Sequence, residues 1–227
     1  MEHILLKISI MLVPALLAVT MHEVAHGFVA DKFGDPTARL LGRLTLNPIK
    51  HLDPIGTIAL LVFGFGWARP VPVNTNNLRR AQNDMIWVSL AGPSANLMLA
   101  LFSALLLRLI VSAAAMLPEG SSLLSMINPV GLMAAFSLYI NVILCLFNLL
   151  PIPPLDGGRV LMGVLPERQS QLLRRIEPFG MLLIVFIIFG TSVWSTTFGP
   201  AVHYVVSLMA GPHMHEVQKT MALLFYK

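Results

Sequence analysis

A chain of 227 residues that is 56% hydrophobic and only 11% charged, with a mean hydropathy of +0.77, is too apolar for an ordinary soluble domain, where about 25% of residues carry charge. The formal net charge of +4 is too small to call for a nucleic-acid partner, and a single cysteine, Cys145, excludes an intrachain disulfide. The composition predicts an all-α polytopic membrane protein in a lipid bilayer.

The first apolar stretch runs from Ile4 to Phe33 and stops at Gly34-Asp35-Pro36, where glycine and proline end a helix. No small-residue cleavage pattern follows its start, so it is expected to be retained rather than removed as a signal peptide. Within it stands His22-Glu23-Val24-Ala25-His26. Residues four apart share a helix face, so His22 and His26 can offer two imidazoles to one metal ion, with Glu23 beside them as a base. This is the H-E-x-x-H spacing of zinc proteases. The motif lies roughly 12–18 Å before the end of the stretch at the helical rise. Ionisable groups at that depth in lipid are costly and mark a functional site.

Residues 31–67 are mixed in character. The apolar piece Ile55–Phe65 is too short to span, and its glycines predict a re-entrant segment or a short membrane-associated β-hairpin. Arg69-Pro70-Val71-Pro72-Val73 reads as extended, and Asp53 before Pro54 as a turn residue. Spanning segments follow at Met85–Leu117, Val130–Leu150 and Phe179–Trp194, with a short apolar piece at Pro200–Ala210. The polar connections are too short to hold a soluble domain of about 50 residues or more. The expected organisation is one integral-membrane domain over 1–227, with a core at about 4–160 and accessory segments at about 178–227.

Lysine and arginine set the orientation. Residues 31–84 hold seven basic residues, 118–129 none, and 151–178 four. The first and third connections are therefore expected in the cytoplasm and the N-terminus outside, as in a plasma-membrane protein. Zinc needs a third protein ligand and an open position. The third spanning segment ends, on the same side as the motif, at Asn148-Leu149-Leu150-Pro151-Ile152-Pro153-Pro154-Leu155-Asp156-Gly157-Gly158. Prolines break the helix there, glycines permit a tight turn, and Asp156 becomes the third-ligand candidate. Glu23 would take a proton from the attacking water and return it to the leaving amine. Asn96 and Asn148 are candidate oxyanion donors or substrate contacts.

With these pieces placed, the chain resembles the site-2 protease family of intramembrane zinc metalloproteases, peptidase family M50. The matching stretches are His22–Gly27, His51-Leu52-Asp53-Pro54-Ile55-Gly56-Thr57, Gly66-Trp67-Ala68-Arg69-Pro70-Val71-Pro72-Val73, Ala91-Gly92-Pro93-Ser94-Ala95-Asn96 and Asn148–Gly158. The resemblance implies a three-helix catalytic core plus one to three further membrane helices. It also implies one zinc ion on His22, His26 and Asp156, a catalytic Glu23, and cleavage of transmembrane protein substrates in regulated intramembrane proteolysis. Neither a PDZ nor a CBS domain has room here, so the chain resembles the minimal branch. The competing reading is a membrane metal-ion transporter, which needs ligands on both halves of the membrane. His203, His213 and His215 read as an interfacial tail, Arg108 as a snorkelling side chain, and Gly92 as a point of close helix approach. Oligomeric state is left open by the sequence.

Overall fold

The computed structural model describes residues 2–63, 66–118 and 120–225. Helix α1 (Glu2–Lys32) carries the histidine motif in its last third. A four-residue helix α2 (Thr37–Leu40) and a helix α3 (Pro54–Phe63) follow, then the long helices α4 (Ala81–Ala115) and α5 (Ser122–Asn148). The chain ends with α6 (Asp156–Val164), α7 (Glu167–Gly190), α8 (Gly199–Ala210) and α9 (Met214–Phe225). Three helices, Leu5–Lys32, Ala81–Ala115 and Ser122–Asn148, are long and apolar enough to cross a membrane. The number rises to four if Glu167–Gly190 and Trp194–Phe225, broken between them, form one span. The chain is thus an all-α membrane protein.

The expected hairpin is corrected. Pro54–Phe63 is one helix of ten residues, and no strand is formed among the described residues. The only pairing there is an isolated antiparallel bridge between Leu52 and Ala68. Glycine content suggested irregular backbone, but Asp53 caps the helix by accepting from Gly56 N–H at 2.8 Å. The mostly apolar residues that follow then propagate it (Gly64 and Phe65, the rest of that expectation, lie outside the described residues). Two starts also shift. α5 begins at Ser122 rather than Val130, and α7 at Glu167 rather than Phe179, with Pro129 and Pro178 inside the helices. Apolar runs mark only the part of a helix that faces lipid, and proline within apolar helices is tolerated where neighbours re-satisfy the backbone.

The chain forms two compact units. The first unit comprises 1–18, 96–144 and 193–227. Its core is Ile10, Phe136 and Leu224, packed by Met11, Leu132 and Met133. A polar chain runs through it: Asn96 Nδ2 donates to Ala18 O at 3.2 Å and to Asn141 Oδ1 at 2.8 Å. Ser103 and Ser137 hydroxyls meet at 2.8 Å. Arg108 does not snorkel outward. Its guanidinium donates to Met209 O at 2.6 Å, at the C-terminal end of α8, where helix carbonyls lack partners and attract a cation.

The second unit comprises 19–95 and 145–192. Its connection after α1 is tied down by Asp35, a fully buried carboxylate. Asp35 accepts from Thr37 N–H and hydroxyl, Asn74 N–H and Asn77 Nδ2. One side chain thereby joins the end of α1 to the segment before α4. Gly34, with φ +110°, supplies the left-handed turn that a side chain would resist.

Candidate metal centre

Every residue of the expected metal site lies in the second unit. α1 presents His22 and His26 one turn apart, with ring centroids 4.7 Å apart and planes 85° to each other. Asp156 enters from the first turn of α6, after the proline-rich loop 149–155. His22, His26 and Asp156 are 7%, 9% and 6% exposed. One ligand atom from each lies within 4.8 Å of the others. The edges are shorter still: Nε2 to Nε2 is 3.1 Å, His22 Nε2 to Asp156 Oδ2 is 3.1 Å, and His26 Nε2 to Asp156 Oδ2 is 3.3 Å.

The glycines after Asp156 act by closeness rather than by turning. Neither Gly157 nor Gly158 has positive φ. A Cβ on Gly157 would stand 2.5 Å from the Leu149 carbonyl carbon, and one on Gly158 would stand 2.6 Å from that of Ile152. Backbone therefore lies directly on backbone, and this contact fixes where Asp156 sits.

The imidazoles are aimed from behind. His26 Nδ1 lies 2.7 Å from Val88 O on α4. A carbonyl can only accept, so Nδ1 carries the hydrogen and Nε2 turns a lone pair toward the cluster, the usual arrangement behind a metal-binding histidine. Pro93 cannot donate to the carbonyl four residues back, which loosens α4 at this level. Gly92 faces the rings. A Cβ there would stand 2.6 Å from Cε1 of both His22 and His26, and closer still to His26 Nε2.

This donor set fits zinc. Ligand atoms at about 2.0–2.1 Å from a tetrahedral ion stand about 3.3–3.4 Å from one another, close to the three edges observed. Asp156 Oδ2 is buried and makes no aligned hydrogen bond, an oxygen turned toward two nitrogens without a proton placed between them. A carboxylate binds a metal in its ionised form, so an ion seated here and the Asp156 charge would favour each other.

Glu23 lies outside the triangle. Its Oε2 accepts from Val71 N–H at 2.8 Å, so the segment after the Leu52–Ala68 bridge holds this carboxylate in place. That amide, the Val88 carbonyl and the room left by Gly92 are absent from the sequence reading. Gly92 was legible only as a small residue in an apolar helix, without the neighbour it serves. Asn148 ends α5, half-buried. Both Nδ2 hydrogens of Asn96 are committed to Ala18 and Asn141, so it has no donor left for an oxyanion. His203 Nε2 faces Gln218 at 3.4 Å and His215 pairs with Glu216 at 3.2 Å. Among the described residues His22, His26 and Asp156 form the one group of three metal-ligating side chains.

Comparison with known proteins points the same way. The model for peptidase family M50 matches residues 111–191. A protein of Bacillus subtilis (strain 168) named "Putative zinc metalloprotease YwhC" is 43% identical over 192 residues, covering 84% of each chain. One named "Putative zinc metalloprotease Rip2" from Mycolicibacterium smegmatis is 33% identical over 179 residues, covering 76% of this chain and 64% of its own. Its namesake from Mycobacterium tuberculosis H37Rv is 31% identical over 180 residues, covering 76% and 62%. No solved structure matches.

Proposed function

This chain belongs to peptidase family M50 and is a membrane zinc metalloprotease, and we propose that it cuts peptide bonds within or beside transmembrane segments of other proteins. The observation that carries this reading is the His22–His26–Asp156 triangle, with its two histidines on a helix long and apolar enough to span. His26 lies about 9 Å before the end of that helix, taking six residues at 1.5 Å each. A scissile bond reaching this site is therefore within the bilayer or at its edge. The charge asymmetry of the connections supports an N-terminus outside and a site toward the cytoplasmic half of the plasma membrane. The transporter reading finds no second ligand group among the described residues.

His22, His26 and Asp156 would hold the ion. Bound there, zinc supplies Lewis acidity toward the peptide carbonyl and lowers the pKa of water. Glu23 is the base. Val71 N–H holds its Oε2, which leaves Oε1 to take the proton from the attacking water and deliver it to the departing amine. Asn148, at the C-terminal end of α5, is the second oxyanion candidate.

The test is Glu23→Gln in detergent-purified or vesicle-embedded protein with a single-span substrate. Bound zinc is expected to stay at one ion per chain while cleavage falls by about 10²–10⁴-fold or more. Cleavage at the wild-type rate would overturn the assignment of Glu23, and loss of zinc would make it a ligand rather than the base.

A further inference from the structure

Three cations of the second unit line one cavity. The cavity, of about 640 Å³, is lined by Arg43, Lys50 and Arg69, by Pro70 and Pro72, and by the apolar Leu41 and Ile49. Arg43 Nη2 donates to Arg69 O at 2.9 Å and Lys50 Nζ to Gly42 O at 3.2 Å. Carbonyls satisfy hydrogen bonds but do not neutralise charge. Arg43 Nε is buried with no hydrogen-bond partner. Asp31 pairs with Arg39 and Asp84 with Arg80, which leaves Glu23 as the carboxylate that acts on Arg43. Burial, together with the positive charge of Arg69, lowers the pKa of Arg43. Lys50 and Arg69 are exposed while Arg43 is half-buried, so the part-buried guanidinium is what sets this group apart from a fully solvated basic face.

The cavity also adjoins the reaction centre. Pro70 and Pro72 flank Val71, the residue whose N–H holds Glu23. Val71 is 7% exposed and packs toward α1, where a Cβ on Gly27 would meet its Cγ1 at 2.8 Å. Pro70 and Pro72, on either side of it in the chain, line the cavity. Arg43 lies within electrostatic reach of Glu23.

We propose that this cavity is an acidic-residue subsite, taking the side-chain carboxylate of an Asp or Glu a few residues from the scissile bond of the substrate. The inference rests on the endopeptidase reading and adds the class of sequence it prefers. Arginine suits such a site because its planar fork matches a carboxylate bidentately. A peptide carboxylate is favoured over a lipid phosphate because the cavity opens one residue from the amide that positions the base.

The test uses full-length protein in vesicles of zwitterionic lipid and single-span peptides carrying Asp, Asn or Lys at successive positions around the scissile bond. At one register, Asp→Asn is expected to lower kcat/KM about 10-fold, the scale of one charge-assisted hydrogen bond. Lys50→Glu with Arg69→Glu, at exposed side chains, is expected to reverse the order in favour of Lys. Peptide affinity for Glu23→Gln protein gives a readout independent of hydrolysis, with the same order expected. If Glu23→Gln still cleaves but the binding order holds, the endopeptidase mechanism fails and the subsite stands. Equal rates and affinities for Asp, Asn and Lys at every register overturn the subsite alone. So does a wild-type preference that survives the double charge reversal. A response to added anionic lipid, equal for all peptides and lost in the double variant, makes the cavity a lipid site and refutes the proposal.

Discussion

Gly92→Ala adds one methyl group at the point where α4 faces both histidines. The new Cβ would stand 2.6 Å from Cε1 of His22 and of His26. Carbon atoms rest at about 3.5–4.0 Å, so the rings must retreat by about 0.9 Å or more. A metal site tolerates about 0.2 Å in ligand distance. Turning His26 away also stretches its 2.7 Å bond to Val88 O, and losing such a supporting bond alone costs roughly 10–100-fold in metal affinity or activity. Zinc affinity should therefore fall at least about 100-fold. Fold stability should fall only by the overpacking cost of about 1–3 kcal/mol. Zinc content after competition with a graded chelator series measures the first quantity, and thermal unfolding in detergent the second. Gly131→Ala is the control, since its Cβ meets only Ile110 Cγ2 at 3.2 Å. A Gly92→Ala protein that keeps zinc and wild-type cleavage would refute the placement of α4 against the two imidazoles.

Asp156→Asn keeps the shape of the third donor and removes its charge. Zinc retention should drop by more than the roughly 10–100-fold typical of outer-shell losses, and chelator-stripped wild-type protein should regain cleavage on adding zinc. Gly157→Ala drives a methyl group to 2.5 Å from the Leu149 carbonyl carbon. Backbone cannot swing aside as a side chain can, so the variant should lose both zinc and about 1–3 kcal/mol of stability, read by metal analysis and unfolding. Asp35 yields a pH dependence. Burial acts to raise its carboxyl, but donors from Thr37, Asn77 and Asn74 outweigh it and lower the folded pKa. Its stabilisation is therefore complete above the unfolded value of about 3.9 and is lost as pH falls through the lower folded value. Asp35→Asn should lower the unfolding midpoint at neutral pH by an amount equivalent to about 1–3 kcal/mol and should flatten the decline below about pH 4. An unchanged acid limb would remove Asp35 as its source.

How much of this was legible beforehand depended on range. His22, Glu23 and His26 lie within one helical turn, so their shared face follows from the 3.6-residue period. The apolar runs of α1, α4 and α5 declare themselves because lipid selects composition directly. Pro151, Pro153 and Pro154 marked the end of α5, since proline acts on its own backbone. The helix starts at Ser122 and Glu167 lie upstream of the apolar stretches that signal these helices. The segment after Asp53 was open to a hairpin or a re-entrant piece because a short apolar run satisfies strand and helix patterns alike, and the cap on Gly56 N–H makes it a helix.

What the sequence by itself determined is the chemistry available: two imidazoles and a carboxylate on one apolar helix, and a second carboxylate after a proline break. Only the tertiary structure decided how these groups are aimed. It set Asp156 Oδ2 at 3.1 and 3.3 Å from the two nitrogens and turned His26 on the Val88 carbonyl. It held Glu23 on the Val71 amide, committed Asn96 to other partners, and drew Arg43, Lys50 and Arg69 around one cavity. These contacts join residues far apart in the chain through backbone groups that every residue possesses. No pattern of side chains announces them, and a metal centre depends on them to within tenths of an ångström.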